Sequence, residues 1–345
     1  MTHASFTVQS VIDAAHDREI RRARQSQHRA TRIREFIQSH LPEGTFVDVV
    51  LTPHIETAAV LPASLDAIVD SNTTDVDRER ARRLLEDVDP AAEFLVLITT
   101  NPASLDHIPL NDQLTADHAH QFGLAFHELL HILKTAITTI GRLIADEIDP
   151  EYHRPVHDLI NIVEDGAIER EAIEGTNFSD NAEIRLELTR RLHSQTSDDL
   201  PEGEQVQYSF WDAVTSALYE WAIYPTDVTD VLLDYTDDRL VFASQADAAA
   251  FESVRDPLRR LAREALAIQG VSPDGASRSH DKTASVRRAQ LVIETWNTAI
   301  LPLVQNAPPD RDSPSETVGR STSKYGVATY SLLLCRIPRP ILPSS

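Results

Sequence analysis

The sequence predicts a mostly helical α+β fold in which a small sheet precedes a long, apolar-backed helix. Two short β-branched runs, at Gly44–Thr52 and Glu93–Thr100, are the only clear strand signals. Segments with helical spacing of apolar residues follow them as far as Leu301, with Gly and Pro clustered between the segments and no internal repeat.

Taken in order, Val8–Leu41 reads as one or two helices, with Val11, Ile12, Ile20, Ile33 and Phe36 as the apolar positions. Gly44–Thr52 is a strand closed by Pro53, and Asp75–Asp87 is a short charged helix. The run Glu93-Phe94-Leu95-Val96-Leu97-Ile98-Thr99-Thr100 is apolar throughout, as expected of a buried strand. A polar connector follows, and a helical pattern then starts near Thr115. It carries Leu124, Leu130, Ile132, Leu133, Ile137, Ile140 and Ile144, with no proline before Asp149-Pro150. The chain re-enters a helix with Pro155 in its first turn, which runs to Glu174 ahead of Gly175. Further helices are expected at Asn181–His193, Tyr208–Tyr224, Ala246–Ile268 and Ser279–Leu301. The resulting organisation is one predominantly helical domain over 1–306. Its core lies at about 93–175, a helical remainder spans 181–305, and a Pro/Ser-rich tail without a site occupies 307–345. A sharper reading of that tail is a frame that once continued into another domain.

Composition narrows the function classes. The net charge is −22, and of 32 basic residues only Lys134, Lys282 and Lys324 are lysines. An acidic, arginine-rich surface stays hydrated where salt screens charge, which is the style of salt-in halophiles. The same charge excludes the positive footprint that nucleic-acid binding needs. A single cysteine, Cys335, excludes a disulfide framework and a cysteine-rich zinc module. Met1–Arg24 has no apolar signal-peptide core, and the apolar run Tyr330–Cys335 is too short to span a bilayer, so a cytoplasmic, membrane-free protein is expected.

The chemistry is carried by His127-Glu128-Leu129-Leu130-His131. Two histidines four residues apart on a helix share one face, so both rings can bind one metal ion. The glutamate between them lies beside that metal, where it can take a proton from water. A catalytic zinc site needs a third protein ligand. The helix from His157 to Glu169 is the best donor, because His157, Asn161 and Glu164 share a stripe about 60° wide at 100° per residue. Glu164 is the first choice, with His157, Asp158, Asp165 and His153 as the other donors. His153, His157, Tyr152 and Tyr219 are the candidates for stabilising an oxyanion, and His120 shares the motif stripe.

These residues resemble the zincin metallopeptidases, in the gluzincin-like branch where a glutamate on a second helix completes the site. The resemblance rests on His127–His131 and Asn161-Ile162-Val163-Glu164-Asp165, and covers roughly Glu93–Glu174. It implies Zn2+ bound by His127, His131 and Glu164, Glu128 as general base, and hydrolysis of peptide or protein amides. Two departures stand out. Glu164 lies further from His131 than in thermolysin-like members, and Ile168 replaces their aspartate four residues after the ligand, a place Asp165 or Glu169 can take. A looser resemblance links Asn161–Glu169 to a helix beside von Willebrand A domains in chelatase and AAA+ systems. It implies the alternative: a non-catalytic, zinc-stabilised scaffold with such a partner.

Overall fold

The computed structural model describes residues 27–52, 55, 57–65, 75–100, 110–174, 206–223, 240–270 and 282–306. The start of the first helical segment, the helix expected at Asn181–His193 and the tail 307–345 lie outside these residues.

Helix α1 spans 27–38, and Gly44, at φ 93°, takes the left-handed turn that leads into the first strand. Strands β1 (Val47–Thr52) and β2 (Ala58–Pro62), helix α2 (Asp75–Leu85) and strand β3 (Phe94–Thr99) follow. They form a mixed sheet of order β1-β3-β2, in which β3 runs parallel to β1 and antiparallel to β2. Its central position explains the unbroken apolar run in β3. Val96 and Ile98 face one core with Val47, Val49, Ile33 and Ile37, while Leu95 and Leu97 face another with Ala59 and Leu61. Strand β2 escapes sequence reading because Ala58-Ala59-Val60-Leu61-Pro62 is short and ends in proline. Proline is tolerated there because β2 is an edge strand among the described residues.

Helix α3 (Leu110–Lys134) lies on the sheet, burying Leu124, Ala125, Leu129, Leu130 and Leu133 in the same core as Val96 and Ile98. The single helix expected to continue through Ile144 is in fact two. Helix α4 (Ile137–Glu147) starts after a break in which Ala136 adopts φ −85° and ψ 57°. The two halves of the lost helical hydrogen bond are taken up by side chains from a distant segment. The Ala136 N–H donates to Ser285 Oγ (3.0 Å), and the Ile132 carbonyl accepts from Lys282 Nζ (2.9 Å). Nothing local announces this break.

After a 3₁₀ turn at Pro150–Tyr152, helix α5 (His153–Glu174) runs between the sheet layer and a helical layer. Ile168 and Ala172 join the sheet core, whereas Leu159, Ile160 and Val163 join the helical core. That second core is completed by α6 (Phe210–Ile223), α7 (Gln245–Ala267) and α8 (Thr283–Thr295), with the short pair β4 (Val206–Tyr208) and β5 (Leu240–Phe242) beside them. Helix α8 passes through a π turn at Trp296–Ile300 into α9 (Leu301–Asn306). Gly166 lets α5 and α6 approach closely, since a Cβ there would overlap the Ala222 carbonyl. The architecture is thus mostly helical α+β, with its small sheet ahead of the motif helix. No helix among the described residues is long and apolar enough to cross a membrane.

Candidate metal centre

The unusual feature of α5 is its acid content. Glu164, Asp165, Glu169 and Glu171 are all buried, and so is Glu128 on α3. A buried carboxylate needs a charged or hydrogen-bonding partner. Glu164 and Glu171 find theirs at Arg288: Nε and Nη2 hold Glu164 Oε2 and Oε1 at 2.7 and 2.9 Å, and Nη1 lies 3.5 Å from Glu171 Oε1. Lys134 adds a contact to Glu171 at 3.6 Å. Asp165 and Glu169 are left with the two motif histidines.

The rings of His127 and His131 stand 4.8 Å apart at 80° to one another. Each has its Nδ1 occupied. His127 Nδ1 donates to Glu169 Oε1 at 2.9 Å, and His131 Nδ1 donates to Thr135 Oγ1 at 2.9 Å. A neutral imidazole carries one proton, so these contacts leave both Nε2 atoms as lone-pair acceptors. The two Nε2 atoms lie 3.1 Å apart and face Asp165 Oδ1 at 3.6 Å (His127) and 3.0 Å (His131). Asp165 Oδ1 is buried and receives no well-directed hydrogen bond. With both rings neutral, three acceptors therefore converge on one point with no donor among them, an arrangement that a cation, whether a metal ion or an added proton, stabilises. His127, His131 and Asp165 form a group that can hold a metal ion.

Electrostatics point the same way. Burial works against charge on His127, but Asp165 and Glu169 outweigh it and hold its pKa well above the ordinary value. Burial likewise pushes Asp165 up, and the two imidazoles hold it far below the usual carboxylate range. The carboxylates that face the two rings thus favour positive charge at this point, and a metal ion competes there with a second proton on His127. Glu128 is raised by burial, against the pull of His127 and His131, and takes a backbone hydrogen bond from Val60 of β2.

Glu164 is not the third member of the cluster, and Asp165 stands in that position instead. Adjacent helical residues point about 100° apart, and both Glu164 oxygens are engaged by Arg288 on the other side of α5. With Asp165 in third place, Glu169 falls four residues later and orients His127. The other donors are placed elsewhere. His153 Nε2 bonds the Ile148 carbonyl at 2.8 Å, and Asp158, half-buried, is pushed up to about 7 by burial. Tyr152 packs against Trp296 in the helical core, the Tyr219 side chain lies outside the described residues, and His120 is buried with its pKa lowered to about 4. His157 has a buried Nδ1 without a hydrogen bond, and burial lowers its pKa to about 4. Thr135 and Arg288, which support the centre, had no signal in the sequence. No family model, curated protein or solved structure matches the chain.

Proposed function

We propose that the chain is a zinc-dependent hydrolase of peptide bonds, with His127, His131 and Asp165 as ligands and Glu128 as general base. The convergence of two lone-pair Nε2 atoms and an orphaned carboxylate oxygen carries this reading. Two nitrogens and one oxygen in a buried, three-donor set suit zinc with an open position. A bound zinc ion supplies Lewis acidity, making water acidic enough to attack near neutral pH and polarising a carbonyl. Glu128 accepts the proton from the attacking water and returns it to the leaving amine. Its burial keeps it away from bulk solvent, and the Val60 N–H fixes its carboxylate.

Strand β2 supports a polypeptide substrate. The bonds Thr99 N–H to Thr57 O and Ala63 N–H to Glu93 O show that the odd residues of β2 pair with β3. Ala58, Val60 and Pro62 therefore turn their backbone groups to the edge that no strand among the described residues pairs, where Val60 already meets Glu128. An edge strand beside the base is a template for an extended peptide.

The test is metal analysis and hydrolysis of an unfolded protein in high salt. Glu128→Gln is expected to retain zinc and lose about 10²- to 10⁴-fold in rate. Equal activity of wild type and variant across a broad peptide panel would favour the scaffold reading with an AAA+ or von Willebrand A partner. Iron in place of zinc would sink the hydrolytic one. Metal must also displace the His127 proton. Apparent zinc affinity is therefore expected to rise about tenfold per pH unit up to the raised His127 pKa and level off above it, as read by chelator competition. A flat profile between pH 6 and 8 contradicts this.

A further inference from the structure

We infer that Arg288, acting through Glu164 and Thr135, is a positioning residue that locks His131 in its metal-binding tautomer. The inference rests on the metal-centre reading above and identifies what controls that centre's grip.

The donor and acceptor roles along this chain of contacts are forced. Arg288 has only donors, so Glu164, held by Nε at 2.7 Å and Nη2 at 2.9 Å, is kept as an acceptor-only carboxylate. Thr135 Oγ1 lies 3.0 Å from Glu164 Oε1 and must spend its single proton there. The Thr135 oxygen can then only accept from His131 Nδ1 at 2.9 Å, which places the ring proton on Nδ1 and the lone pair on Nε2. All four side chains are buried, so water does not compete for these roles.

Arg288 is itself fixed. Its Nη1 donates to the Ile268 carbonyl at 2.7 Å, and Glu171, which Nη1 approaches, accepts the Gly270 N–H at 2.7 Å. One turn away on the same helix, Ser285 takes the Ala136 N–H, and Lys282, just before α8, caps the Ile132 carbonyl. The first two turns of α8 therefore hold open the break that frees Thr135 to face both His131 and Glu164. A helix 124 residues beyond Glu164 thus sets the orientation of a ligand on α3.

The probe is Co2+ bound to the full chain in high salt, followed by its visible absorption and by chelator competition. Thr135→Val removes the hydroxyl at nearly constant volume. It is expected to weaken Co2+ binding about 10- to 100-fold and alter the absorption envelope, and Thr135→Ser is expected to restore both. Arg288→Lys keeps the charge but not the two-pronged grip, and is expected to weaken binding in the same direction. It decides the matter if Thr135→Val fails to fold. Wild-type affinity and spectrum in folded Thr135→Val, or in folded Arg288→Lys should the first be unusable, overturn the inference while leaving the centre intact. A wild-type chain that binds neither Co2+ nor Zn2+ overturns the metal-centre reading itself.

Discussion

Replacing Asp165 with alanine is expected to abolish the zinc binding proposed for the centre, with a loss well beyond the roughly 10- to 100-fold cost of an outer-sphere change. The carboxylate supplies the only formally negative group among the three converging donors, at 3.0 Å from His131 Nε2 and 3.6 Å from His127 Nε2. Without it two neutral imidazoles remain, and two ligands do not hold zinc against water and chelators. The contrast variant is Glu164→Gln, which leaves all three donors in place and weakens the Arg288 pair and the Thr135 contact that support His131 from behind. The expected order of zinc affinity is therefore wild type, then Glu164→Gln, then Asp165→Ala far below. Calorimetry or chelator competition reads it directly. The reverse order would show Glu164 as the ligand and the present geometry as mistaken.

The second large effect is on folding. Arg288→Ala is expected to destabilise the chain by about 3–5 kcal/mol, because it takes the paired cation from the buried Glu164 and leaves Glu171 with Lys134 at 3.6 Å as its remaining one. High salt does not rescue the variant, since mobile ions cannot reach groups that are 1% and 4% exposed. Denaturant unfolding in the presence of a chelator isolates this contribution from any metal binding. A loss below about 1 kcal/mol would mean that the two acids find other partners or become neutral at little cost.

Both variants act on contacts that differ in how far the sequence reveals them. The motif helix is legible because His127 and His131 lie four residues apart, a spacing that helix geometry alone turns into a shared face. The β3 strand is legible because a central strand buries both faces, and only an unbroken apolar run satisfies that. The α3–α4 break is not legible, because Thr135-Ala136 contains neither proline nor glycine. The groups that stabilise the break lie 149 and 150 residues away, at Ser285 and Lys282.

The third donor shows the boundary most clearly. Spacing places an acid-rich helix after the motif helix, and local periodicity normally says which side of such a helix faces solvent. On α5 that cue vanishes, because the helix is buried between two cores and carries acids on more than one side. Choosing between Glu164 and Asp165 then depends on what approaches each face. Arg288 approaches one and the two imidazoles the other. The sequence by itself determined the fold class, the paired histidines with their neighbouring acid, and the helix from which a further donor comes, since each follows from short-range periodicity. The tertiary structure alone decided which carboxylate completes the cluster and which residues brace it, because those outcomes depend on long-range packing that no local pattern encodes.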